Sequence, residues 1–139
     1  MRILAIDLGT KRVGLALADA GTRFAYPHAT LARGARAKLF EDIARIVREQ
    51  DVGEIVVGLP LALDGGETLG SRQARNFADS LRRRLDTPLI LVNEALTSEA
   101  AKDDLVAAGR KGARLAAVLD QQAAVHILQT YFSQARTRS

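Results

Sequence analysis

Cysteine and tryptophan are both absent from the 139 residues. Without cysteine there is no disulfide scaffold, thiol nucleophile, zinc finger or iron–sulfur cluster. Aromatic residues make up only 4%, too few to support recognition by base stacking. No apolar run approaches the ~20 residues that span a bilayer. Asp7 interrupts the opening apolar segment before a signal-peptide core can form, so the expected location is cytoplasmic, with no membrane partner. What is present is the balance of a soluble globular protein, 47% hydrophobic and 26% charged. The length predicts one domain over residues 1–139, able to bury roughly two-thirds of its unfolded surface without a structural metal. Twenty Lys and Arg against 16 Asp and Glu give a net charge of +4, which permits a polyanionic partner without demanding one.

The chain opens as a β-meander. Arg2–Asp7 and Val13–Asp19 are β-rich and joined by a short turn, which makes them antiparallel. Phe24–Leu31 is a third strand, with Pro27 favouring an edge. The period then becomes helical: Ala37, Phe40, Ile43, Ala44 and Val47 predict a helix over Ala35–Gln50. Glu54–Gly58 reads as a strand ended by Gly58 and Pro60. Glu67–Leu85 reads as a helix and Pro88–Val92 as the last strand. Thr97 or Ser98 caps a third helix, Gly109–Gly112 is a basic loop, and Ala116–Phe132 is a final helix, followed by a fraying tail over about 133–139. The order β-β-β-α-β-α-β-α-α predicts an α/β fold with a mixed five-stranded sheet and helices on both faces.

Three acids stand at special places. Asp7 ends the first strand, Glu94 ends the last, and Asp120 opens the final helix. Strand carboxyl ends are where open α/β sheets bind ligands. Asp120 shares an apolar face with Ala124, Ile127, Leu128 and Tyr131, so it points inward. Three converging carboxylates call for a hard divalent cation, Mg²⁺ or Mn²⁺. The competing reading is a helix cap at Asp120 and loop acids at the strand ends. Asp103 and Asp104 read as a solvated helix face, and Asp19 falls at the opposite rim.

In the segment Asp7-Leu8-Gly9-Thr10-Lys11-Arg12-Val13-Gly14 the glycines allow close backbone approach, and Lys11 and Arg12 can reach phosphate; an ordinary hairpin turn is the alternative. A similar Asp-x-Gly-Thr pattern grips nucleotide in two-domain ATPases, but this chain has room for one such domain. Arg110, Lys111 and Arg114 lie just before Asp120 and are candidates for nucleic-acid contact, whereas Arg82-Arg83-Arg84 reads as a solvated helix face. His28 and His126 are far apart, His126 lies off the Asp120 face, and neither reads as a ligand or general base.

Four motifs in order carry a resemblance over almost the whole chain: Asp7–Gly14; Gly58-Leu59-Pro60 with Asp64-Gly65; Asn93-Glu94-Ala95-Leu96-Thr97-Ser98; and Asp120-Gln121-Gln122-Ala123-Ala124 with Ile127, Leu128 and Tyr131. The chain resembles the YqgF (RuvX-like) family of pre-16S rRNA nucleases and Holliday junction resolvases. The resemblance implies an RNase H-like fold of three layers. It also implies metal-assisted phosphodiester hydrolysis with two ions, Asp7 bridging between Glu94 and Asp120. Lys11 and Arg12 would hold the backbone phosphate, with Gly9, Thr10, Asn93 and Thr97 in support. Three positions depart from the family pattern: Asn93 stands for an acid, Ala95 for a basic residue, and Ala123 where some relatives carry a fourth acid.

The expected function is therefore a metal-dependent endonuclease of structured nucleic acid, RNA or DNA, with pre-16S rRNA processing and ribosome biogenesis as the first expectation, contacting backbone and ribosomal precursor particles. A Holliday junction resolvase is the enzymatic alternative and would require a dimer, for which the sequence shows no interface. A nucleic-acid-binding module without turnover is the non-enzymatic alternative, motivated by Asn93 and Ala95.

Overall fold

A computed structural model describes residues 1–95 and 112–138. Strand β1 (Arg2–Leu8) turns into β2 (Arg12–Asp19), and the two pair antiparallel from Arg2–Asp19 to Leu8–Val13. Strand β3 (Ala25–Ala32) adds antiparallel to β2. Helix α1 (Arg36–Glu49) crosses to β4 (Val52–Leu61), and helix α2 (Leu69–Arg84) crosses to β5 (Leu89–Ala95). Both crossovers return parallel, giving the order β3-β2-β1-β4-β5. Pro27 lies on β3, the edge strand, where a missing N–H breaks no ladder. The last helix, α3 here, spans Gly112–Arg138.

Alternation along the strands sorts side chains into two layers. Leu4, Ile6, Leu15, Leu17, Ile55 and Val57 meet Phe40, Ile43, Phe77 and Leu81 of α1 and α2. Ile3, Ala5, Ala16, Ala18, Val56 and Val92 meet Ala124, Ile127 and Leu128 of α3. The side facing α3 is built largely of alanine and glycine, so this helix lies close on the sheet. At its far end Tyr131 donates a 2.5 Å hydrogen bond to Glu54 Oε1. That bond, ahead of burial, pushes the phenol up to about 12.

Helix α2 starts with a reciprocal cap in which Ser71 N–H donates to Thr68 Oγ1 and Thr68 N–H donates to Ser71 Oγ. It ends on Arg82, Arg83 and Arg84, all exposed. Arg84 donates to the Ser80 carbonyl and stacks on Phe40, which ties down the last turn.

Three expected boundaries shift. Strand β4 does not stop at Gly58 and Pro60: Pro60 pairs with Glu94, and the strand ends at Leu61. Pairing with β1 has already ended at Ile6–Val57, so β4 beyond it is hydrogen-bonded on one side and a proline is tolerated. Strand β5 runs on past Val92 to Ala95, alongside that extension. Helix α3 begins at Gly112 and continues through 133–138, because Ala113–Leu119 and Gln134–Arg136 hold no helix breaker. The expected third helix, with Asp103 and Asp104, lies outside the described residues. No helix among the described residues is long and apolar enough to cross a membrane.

His28 on β3 is held below the 6.5 of a free histidine, first by burial and then by the charge of Arg2. The folded state thus binds this proton less readily than the unfolded chain. The contribution to stability is full above the unfolded value and is lost as pH falls below it towards the folded value. Melting curves between pH 7.5 and 5 are expected to lose stability less steeply in His28→Asn than in the parent. Equal slopes would remove the histidine from the pH response.

Candidate nuclease centre

The parallel strands β1, β4 and β5 deliver their C-terminal ends to one edge. Asp7 is the residue after the last β1–β4 pair, Ile6–Val57, and Glu94 pairs with Pro60. By alternation Asp7 follows Ile3 and Ala5, and Glu94 follows Ile90 and Val92, so both acids project on the α3 side. Two strand spacings, ~10 Å, separate their strands. Gly58 lies between them. A methyl group there would stand 2.5 Å from Ile127 Cδ1 and 3.9 Å from Glu94 Cγ, so a bare backbone lets α3 close over this part of the sheet.

Asp120 is brought to the same edge by another glycine. Gly14 pairs with Asp7, and a Cβ at Gly14 would lie 2.1 Å from the Asp120 carbonyl oxygen and 3.0 Å from its Cβ. Asp7 and Asp120 thus share one neighbour, approached along the sheet and from above it. Gly14→Ala is expected to push α3 off the sheet and cost about 1–3 kcal/mol, measured by urea unfolding. A loss below about 0.5 kcal/mol would show that the helix can yield there.

The structure corrects the expected place of Asp120. It does not open the final helix but sits in its ninth position, two turns beyond Gly112. A cap and a favourable helix terminus are therefore both removed as explanations of this acid, since each acts only within the first turn. Its side chain is 2% exposed, and Oδ2 accepts a 2.7 Å ion-paired hydrogen bond from Arg12 Nε. The guanidinium expected to face phosphate is thus engaged by a buried carboxylate. On the flank, Thr30 donates to the Ala117 carbonyl and Gln121 donates to Thr30, fixing the helix around Asp120.

Glu94 is 18% exposed. Its Oε2 lies 3.1 Å from His126 Nδ1, while Oε1 is buried with no hydrogen-bond partner among the described residues. His126 was expected to be a bystander. It does lie off the Asp120 face, but it reaches Glu94 from the flank of α3 and remains 66% exposed. No local spacing could reveal this contact, which spans 32 residues of sequence.

The turn between β1 and β2 is closed by Gly9 N–H donating to the Arg12 carbonyl, and a Cβ at Gly9 would stand 2.7 Å from that oxygen. Arg33, also missed by sequence reasoning, braces this turn: Nη1 donates to the Gly9 carbonyl at 2.6 Å and its backbone N–H donates to the Lys11 carbonyl. Thr10 and Lys11 are left exposed at the rim. Asn93 is exposed and, by alternation, projects on the side of the sheet opposite Glu94. The missing acid at position 93 therefore takes nothing from the α3 side. Thr97, Arg110 and Lys111 lie outside the described residues, as does the side chain of Arg114 on the first turn of α3.

The carboxylates are hard oxygen donors of the kind that Mg²⁺ and Mn²⁺ prefer. The buried, unsatisfied Oε1 of Glu94 and the buried carboxylate of Asp120 fit such a cation chemically. As they stand, no three His, Asp or Glu among the described residues are gathered closely enough to hold one ion. Asp120 and Glu94 each commit one oxygen to a protein cation or imidazole instead.

A family model described as RuvX, Holliday junction resolvase, matches residues 1–134. A protein of Maridesulfovibrio salexigens is 48% identical over 135 residues, covering 97% of this chain and all of that protein. One of Nitratidesulfovibrio vulgaris is 44% identical over 138 residues, covering 99% and 97% of the two chains. Both carry the name "Putative pre-16S rRNA nuclease". Among solved structures, Thermus thermophilus RuvC is similar with a TM-score of 0.58 at 12% identity, covering 99% of this chain and 96% of that one. The fowlpox virus Holliday junction resolvase is similar with a TM-score of 0.52 at 16% identity, covering 97% and 99%. At these identities the likeness concerns the fold, which is RuvC-like and RNase H-like. With a family match over nearly its whole length and close relatives of equal extent, the chain belongs to the RuvX family of nucleases.

Proposed function

We propose that the chain is a single-domain, metal-dependent endonuclease that cuts the backbone of structured RNA, with pre-16S rRNA as its substrate during ribosome maturation in the cytoplasm. One observation supports the reading: Asp7 of β1 and Glu94 of β5 stand on the α3 side at the strand C-terminal edge, and Asp120 of α3 packs against Gly14, the strand partner of Asp7. The name of the two relatives, "Putative pre-16S rRNA nuclease", supports that substrate.

Asp7, Glu94 and Asp120 would hold one or two Mg²⁺ or Mn²⁺ ions. Such ions, when bound, supply Lewis-acid activation of water and stabilise the leaving oxygen. The chain's own residues do the rest. Lys11, exposed on a braced turn, attracts the phosphate backbone, and the Gly9 turn fixes its reach. Arg110, Lys111 and Arg114 extend the contact along the nucleic acid. The packing of Ile127 over Gly58 walls off the floor of the site from the sheet.

The family's description favours a second reading, resolution of four-way DNA junctions. The two are separated by incubating the protein with precursor 16S rRNA and with a synthetic junction, each in Mg²⁺, Mn²⁺ or EDTA, and by sedimentation with and without the junction. Cleavage of the RNA by a monomer supports rRNA processing. Symmetric cuts in the junction by a dimer replace it with resolution. Tight binding without cleavage of either in any metal would leave only a binding module.

A further inference from the structure

Arg12 forms an ion pair with Asp120, and the two groups are unequally placed. The carboxylate is 2% exposed and the guanidinium side chain 30%. The backbone of Arg12 is fixed, since its carbonyl accepts from Gly9 and its position is paired to Ala32 of β3. Only the side chain is free to turn, and it starts beside Lys11 at the exposed rim. A divalent ion at Asp120 would meet the guanidinium at contact distance, where like charges repel strongly in a poorly solvated site. A released guanidinium has a natural partner at that rim, because its planar fork matches a phosphate diester.

We infer that Arg12 couples metal to nucleic acid: it neutralises Asp120 in the metal-free protein and transfers to a backbone phosphate when a divalent cation takes Asp120, so that each ligand strengthens binding of the other. This rests on the metal-dependent reading above. By linkage the coupling is reciprocal.

The test uses Ca²⁺ as the probe cation and a fluorescently labelled RNA hairpin, with the parent, Arg12→Gln and Arg12→Lys. Calorimetry without RNA is expected to show Ca²⁺ bound about tenfold more tightly by Arg12→Gln than by the parent, because a competing charge is gone. Arg12→Lys, which keeps the charge, is expected to stay near the parent. Anisotropy is expected to show saturating Ca²⁺ tightening RNA binding by the parent about tenfold, an effect absent in Arg12→Gln. The parent should also gain about one phosphate contact in its salt dependence relative to that variant, a slope change of ~0.7–0.9. If Arg12→Gln is unfolded in EDTA, refolding at low Ca²⁺ concentration counts for the proposal, and Arg12→Lys supplies the folded comparison. Ca²⁺ binding of equal strength in parent and Arg12→Gln overturns the coupling while leaving the metal site in place. Equal gains in RNA affinity for both proteins overturn it too. Absence of Ca²⁺ binding in all three overturns the coupling together with the metal-dependent reading.

Discussion

Glu94→Gln is expected to lower the rate of RNA cleavage by about 10²–10⁴-fold, the scale of several kcal/mol of lost charge stabilisation around a reacting phosphate. The substitution keeps the shape of the side chain and its contact partner, His126. It removes a carboxylate whose Oε1 is buried without a hydrogen-bond partner among the described residues. Desolvating an amide costs less than desolvating a carboxylate, so the variant should melt no lower than the parent in EDTA. Single-turnover cleavage together with a melting curve separates chemistry from folding. A folded variant that retains half the parental rate would exclude Glu94 from the centre.

The largest stability effect is expected at the Arg12–Asp120 pair, and it should depend on which partner is removed. Arg12→Met removes the guanidinium paired with a carboxylate that is 2% exposed, at a cost of about 3–5 kcal/mol. At ~3–5 °C per kcal/mol for a chain of this size, the melting temperature should fall by roughly 10–25 °C in EDTA. Asp120→Asn leaves behind an arginine that is 30% exposed and can turn to water, so it should lose about 1–2 kcal/mol. Equal losses in the two variants would mean that the buried carboxylate does not depend on Arg12 for its compensation.

The strand alternation and helical periods made the order of elements, both crossovers and the strand-end acids legible, because each is encoded within a few neighbouring residues; the order of strands across the sheet was not, because it depends on pairings between distant segments. Asp7 and Glu94 were legible because a strand's last residues point to a known edge. Asp120 was legible as an inward acid from the Ala124, Ile127 and Leu128 stripe. Its place within the helix was not, because the sequence before Gly112, Gly109-Arg110-Lys111, holds no Ser, Thr, Asp or Asn to signal a helix start and reads as a glycine-bounded loop. Strand β4 hid its last residues for a similar reason: Pro60 signals a stop unless the strand is known to be bonded on one side only. The ion pair of Arg12, the brace of Arg33 and the contact of His126 with Glu94 are long-range contacts between turn, strand and helix. Periodicity describes what a residue faces, not which distant side chain meets it there.

Asp7, Glu94 and Asp120 are proposed to hold a divalent cation that nuclease activity requires. Calorimetric titration of Mn²⁺ into the parent, Asp7→Asn and Glu94→Gln tests it directly. Saturable binding below millimolar concentration in the parent, weakened at least about tenfold in each folded variant, is the expected result. Binding of the same strength in all three proteins, or none in the parent at millimolar Mn²⁺, would contradict it.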